Sequence, residues 1–248
     1  MNIKKQERKE IRPAKEKFIE SPSLSVVMPV KNGERYLEEA IRSILVQNIE
    51  PAEILLIDGN STDQTHLIAS EFNEIIILSQ QGKGIANAYN QGIQASSGDY
   101  LAFISSDDIW LPDKLSIQMN YMMENPDVWF TNGHITYKVE SQLPSVHTYR
   151  KEWLQGSIPA KIMETLVAKR GVFEMVGEFD ENLSTAEDVD WYTRAQRMEI
   201  KSAMLPQPLL IKRIHDQNHS LNVEMNNRNL LKAIRKNLIH KSRSWDGN

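Results

Sequence analysis

Residues 24 to 105 alternate four short apolar runs with segments of helical spacing, and no other feature constrains the chain as strongly. Leu24-Ser25-Val26-Val27-Met28-Pro29-Val30 is β-branched and lacks polar alternation, the pattern of a strand buried on both faces. Residues 34–47 then place Tyr36, Leu37, Ala40, Ile41, Ile44 and Leu45 on one helical face. The order continues with a strand from Glu53 to Asp58 and a helix from Thr62 to Phe72, capped by Ser61 or Thr62. A strand from Ile75 to Leu78, a helix from Gly84 to Ala95 and a strand from Tyr100 to Ser105 complete it. Such alternation with short links calls for a parallel sheet with right-handed crossovers, so the expected class is α/β with a mostly parallel central sheet. The second half is less regular. Pro112 to Met123 reads as a helix, and Val128 to Val139 as one or two strands. Ile162 to Val167, Ala186 to Met198 and Met225 to Ile239 read as helices.

Composition narrows the chemistry. The 248 residues contain no Cys, which removes disulfides, thiolate metal sites and Cys nucleophiles. A formal net charge of -4 argues against general nucleic-acid binding. No apolar run approaches the ~20 residues that span a bilayer, and the charged start Met1-Asn2-Ile3-Lys4-Lys5 is not a signal peptide. The expectation is a soluble, cytoplasmic enzyme. Residues 1–22 read as a charged, solvated arm.

In open parallel sheets, ligands sit at the carboxyl ends of the strands. Those ends carry Pro29-Val30-Lys31-Asn32-Gly33, Asp58-Gly59-Asn60-Ser61-Thr62-Asp63 and Ser105-Ser106-Asp107-Asp108. Neither a dinucleotide G-x-G-x-x-G nor a P-loop follows the first strand. Asp107-Asp108 after a buried strand suits a divalent cation, Mg²⁺ or Mn²⁺, which would relieve the repulsion and clamp a diphosphate. The bland alternative is a solvated turn or helix cap. Asp58 suits a base N–H or a ribose hydroxyl, or else caps the next turn, while Asp63 favours the dipole of the following helix.

These clusters resemble the glycosyltransferases of family 2. The resemblance rests on Ser25 to Leu37, on Glu53 to Thr65 and on Ala88-Tyr89-Asn90-Gln91-Gly92-Ile93 with Ser97-Gly98-Asp99-Tyr100. It continues through Ser106-Asp107-Asp108-Ile109-Trp110-Leu111-Pro112-Asp113-Lys114-Leu115, Val176 to Glu181 and Ala186-Glu187-Asp188-Val189-Asp190-Trp191, in family order. It implies a GT-A fold over residues 23–222, with a nucleotide-binding half (23–110) and an acceptor-binding half (111–222). It further implies inverting, metal-dependent transfer from a nucleotide-sugar donor, with UDP as the usual nucleotide, to an acceptor hydroxyl. By position, Asp58 would contact the base or ribose, with Pro29, Val30 and Glu34 walling the nucleoside. Asp107 would approach the ribose, Asp108 would bind Mn²⁺ or Mg²⁺, and Asp188 would be the general base with Glu187 beside it. Lys31 and Gly59-Asn60 depart from the family pattern near the base.

Lys83 is a phosphate contact or a solvated loop residue. Arg213-Ile214-His215 resembles the loop that closes over the diphosphate in relatives, making His215 a phosphate or metal contact, with a surface His as the alternative. Residues 223–248 form a basic amphipathic helix by spacing, suited either to an anionic membrane surface or to packing on the domain. Two rival functions remain: a silent sugar-nucleotide-binding protein, and a sugar nucleotidyltransferase, which would need a Gly-rich, basic first loop.

Overall fold

The computed structural model describes residues 22–140, 154–218 and 228–233. Strand β1 (Leu24–Val30) is buried along its whole length, as its unbroken apolar run requires. Helix α1 (Leu37–Leu45) buries Leu37, Ala40, Ile41, Ser43 and Ile44. It is followed by β2 (Glu53–Asp58), α2 (Thr65–Ser70), β3 (Ile75–Ser79), α3 (Gly84–Ala95) and β4 (Tyr100–Phe103). The four strands pair in parallel in the order β3-β2-β1-β4, which puts Val30 beside Asp58 at the carboxyl edge. Helix α3 lies so close to β1 that a Cβ at Gly92 would run into Val27.

Beyond β4 the sheet continues as β8-β6-β9-β5, with β7 paired to β6. Here β5 is Ile109–Trp110, β6 is Phe130–Val139, β7 is Ile158–Ala160, β8 is Val167–Lys169 and β9 is Ser202–Ile214. Strand β8 runs antiparallel to β4, and β6 runs parallel to β9. Helices α4 (Lys114–Glu124), α5 (Gly171–Val176) and α6 (Glu187–Arg197) complete the described elements. Two apolar layers cover the two faces. One packs α1 and α4 residues such as Ile41 and Met119 against Met28 and Leu56. The other packs Tyr89, Phe103, Phe173 and Trp191.

The expected helix at Ile162–Val167 is instead a single 3-10 turn, Met163–Thr165, running into β8. Hydrogen bonding to the β4 edge outweighs local helix propensity there. The long strand β9 was not anticipated; Pro206 and Pro208 obscure it, and they coincide with the register irregularity opposite β6. The charged arm up to residue 21 and most of the expected C-terminal helix lie outside the described residues. Residues 228–233 are helical. They turn Asn229 and Ala233 inward and leave Leu230 and Leu231 exposed. Among the described residues no helix is long and apolar enough to cross a membrane.

Candidate active site

The loops after β1 and β2 are built as one unit. Asn32 and Asn60 both take positive φ, which Asn tolerates better than other residues with a side chain. The Asn32 N–H donates to Ser61 Oγ at 2.8 Å, and the Thr62 N–H donates to Asn32 Oδ1 at 2.8 Å. Glu34 and Asp63 exchange roles across the gap. The Glu34 N–H donates to Asp63 Oδ2, while Glu34 Oε2 accepts from the Gln64 N–H. Glu34 is therefore a strut between the loops. Asp63 also accepts from the Thr65 N–H and hydroxyl, at the start of α2. Asp58 is half-buried at the end of β2 and accepts from the Ser61 N–H. Pro29 and Val30 are buried in β1, and Val30 packs into the core, so its side chain is not presented as a cleft wall. Lys83 is exposed at the start of α3.

The loop that leads from β4 into β5 meets the end of β9. Asp107 Oδ2 lies 3.0 Å from His215 Nε2 and 3.1 Å from Asn218 Nδ2. Burial pushes the Asp107 carboxyl up, but the His215 hydrogen bond and the Lys212 charge outweigh it and hold the carboxyl below its ordinary value. Arg213 donates to the Asp107 carbonyl at 2.9 Å and is itself clamped by Glu39, Glu140 and the face of Tyr36.

Asp108 is different. Its side chain is 0% exposed; Oδ1 accepts from the Arg213 N–H and Oδ2 from Lys212 Nζ, each at 2.9 Å. Burial pushes this carboxyl up to about 7 against the pull of Lys212. Asp108 thus faces inward, against a fixed ammonium, whereas Asp107 and His215 form the pair that could receive a cation. Their 3.0 Å contact is a hydrogen bond, and a carboxylate oxygen beside an imidazole nitrogen is a donor set that Mn²⁺ or Mg²⁺ could take up in its place. Among the described residues no third His, Asp or Glu joins them.

Across the cleft, Ala186 adopts a left-handed φ of 64° and sets the first turn of α6. Glu187 and Asp188 follow at once. Glu187 is 8% exposed and its Oε2 is buried without a partner. Burial, then the neighbouring Asp188, pushes the Glu187 carboxyl up to about 8. Asp188 is half-buried, and burial lifts it to about 6 against the hydrogen bond from the Val189 N–H. Tyr89 and Glu164 complete the electrostatic neighbourhood, since Glu164, Glu187, Asp188 and Asp108 all act on the Tyr89 hydroxyl.

The family model of glycosyl transferase family 2 matches residues 25–179. The chain belongs to glycosyl transferase family 2. An uncharacterized glycosyltransferase of Rickettsia typhi is 31% identical over 209 residues, covering 79% of this chain and 65% of the relative. The chain thus spans just under two thirds of that relative. Among solved structures, a mannosyltransferase from Pyrobaculum calidifontis in complex with GDP-Man and Mn²⁺ superposes with a TM-score of 0.68. It is 16% identical, with 88% of this chain and 64% of that chain covered. S. aureus TarS 1-349 in complex with UDP-GlcNAc gives 0.65 at 20% identity, covering 81% of this chain and 61% of that one. Both likenesses establish the GT-A fold.

In this family 2 member, sequence reasoning missed Glu164 and Lys212, which join Asp108, whereas Arg213 was named within the Arg213-Ile214-His215 resemblance. Glu164 and Lys212 had no local signal, because their partners lie 48 to 104 residues away in sequence.

Proposed function

We propose that this chain transfers a sugar from a nucleotide diphosphate, with UDP as the nucleotide, to an acceptor hydroxyl, with inversion at the anomeric carbon. One observation supports this reading: Lys212 acts electrostatically both on Asp107, the partner of His215, and on the half-buried Asp188 at the start of α6. Asp107 and His215 would hold Mn²⁺ or Mg²⁺, which when bound supplies positive charge to a departing diphosphate. The Mn²⁺ in the Pyrobaculum complex and the UDP-GlcNAc in the TarS complex support the metal and the donor class.

Asp188, ionised above about pH 6, accepts the proton of the acceptor O–H. The acceptor oxygen forms its bond to the anomeric carbon as the bond from that carbon to the diphosphate oxygen breaks. The electron pair leaves on the diphosphate. A single displacement uses one base and no protein nucleophile, which agrees with a chain that has no Cys. Asp58 would position the nucleoside from the β2 edge. The test is UDP release from a panel of nucleotide sugars, with Mn²⁺ or EDTA present. Metal-dependent release that Asp188→Asn abolishes is expected. Donor binding without turnover across donors and acceptors would instead favour a silent binding protein.

A further inference from the structure

Between the metal-side edge and α6 stands a carboxylate that neither step uses. Glu164 sits in the 3-10 turn Met163–Thr165, with its side chain 12% exposed. Its Oε1 accepts from the Ser105 hydroxyl at 2.6 Å and faces Lys212 Nζ at 3.4 Å. Among the described residues no hydrogen bond reaches its Oε2, and that atom is not sealed from solvent as Glu187 Oε2 is.

The turn that carries Glu164 is rigid. Its carbonyl accepts from the Trp110 indole N–H at 3.1 Å. The next residue, Thr165, donates its hydroxyl to the Ala160 carbonyl, and its own carbonyl accepts from Gln118 at 2.9 Å. Asn132 then joins Thr165 Oγ1 at 3.0 Å to the Tyr192 hydroxyl of α6 at 2.8 Å. One buried polar network therefore fixes Glu164 relative to both Asp108, through Lys212, and the helix that carries Asp188.

A desolvated carboxylate costs stability unless it is fully paired. Glu164 shares one lysine with a second, wholly buried acid. A rigid carboxylate with a spare oxygen is a strong acceptor for the hydroxyls of a sugar. Its ties run to Ser105 in the loop between β4 and β5, which also carries Asp107, and to Lys212 of β9. Resting on the nucleotide-sugar reading above, we propose that Glu164, backed by Lys212, reads a hydroxyl of the transferred sugar and so selects the donor. Its Oε2 accepts a hydrogen bond from the sugar hydroxyl, and Lys212 faces the other oxygen, Oε1.

The test compares nucleotide with nucleotide sugar by calorimetry in Mn²⁺. The probes are UDP, UDP-glucose, UDP-galactose, UDP-GlcNAc and GDP-mannose, on wild type, Glu164→Gln and Glu164→Asp. Glu164→Gln keeps UDP affinity within about twofold and loses about tenfold or more for the sugar nucleotide that wild type prefers. Glu164→Asp retains the charge beside Lys212 but withdraws the acceptor by one methylene, and it loses the same preference. Unchanged sugar preference in both folded variants overturns the assignment. Equal losses for UDP and its sugar also overturn it, since they would mark a nucleotide or scaffold role. Wild type that binds none of the five overturns the nucleotide-sugar reading itself, a result distinguishable from the other two.

Discussion

Lys212 Nζ lies 2.9 Å from Asp108 Oδ2, joining β9 to the loop before β5 across 104 residues of sequence. Burial lowers the tendency of the lysine to stay charged, but Asp108, Glu164 and Asp107 together raise its pKa well above the ordinary value. Removing one partner of such a pair strands the other charge in the interior. Lys212→Met should therefore lower unfolding free energy by about 3 kcal/mol. Urea unfolding checks this, and a loss below about 1 kcal/mol would mean the pair is not structural.

Asp107 and His215 should behave differently from Asp108. Asp107→Asn and His215→Gln each should weaken Mn²⁺-promoted UDP binding by about tenfold or more. Asp108→Asn should instead show first as a loss of thermal stability. Calorimetric titration with and without Mn²⁺ separates these outcomes; equal Mn²⁺ dependence in all three variants would return the metal to Asp108.

The base assignment makes a pH claim. Asp188 acts as a carboxylate, and burial lifts its acid form to about 6. The rate kcat/KM should rise as pH passes about 6. Asp188→Asn should cut kcat by about a hundredfold to ten-thousandfold while nucleotide affinity persists. A rising limb that survives in Asp188→Asn would assign the titration elsewhere.

Glu187 has a stability signature of its own. Its folded value of about 8 stands above the ordinary 4.5, so the folded chain holds a proton that the unfolded chain releases between them. The stability this group contributes is whole below pH 4.5 and is lost as pH rises through about 8. Glu187→Gln imitates the neutral acid and removes that loss. Its melting temperature should match wild type near pH 4.5. At ~1.4 kcal/mol per pH unit between the two values and ~2–4 °C per kcal/mol, it should exceed wild type by about 10 °C near pH 8. Melting curves at the two pH values decide it, and a constant difference would refute the raised pKa.

The close approach of α3 to β1 can be tested at Gly92, where an added Cβ meets Val27. Gly92→Ala should destabilise by about 1–3 kcal/mol despite its better helix propensity. Denaturant unfolding that shows a gain would mean that the two elements can separate without cost.

The sequence by itself determined the alternation of strands and helices from β1 to β4 and the polar clusters at their carboxyl ends. Helix α3 was legible to its last residue, Ala95, because its apolar spacing and its flanking glycines are local signals. Asp58, Asp107, Asp188 and His215 stood out in the sequence because they lie at or near element ends. Only the tertiary structure decided which of two adjacent aspartates faces the cleft. Asp107 turns toward His215, while Asp108 turns toward Lys212 and the Arg213 N–H. That choice depends on β9 coming back against β5 and the loop before it, and an Asp-Asp dipeptide carries no trace of it. The same holds for Glu164, whose 3-10 turn read as helix until pairing of the adjoining β8 with β4 drew the chain into the sheet. Periodicity encodes which face of an element is buried, but the partner of a buried charge is set by long-range packing, which one stretch of sequence does not contain.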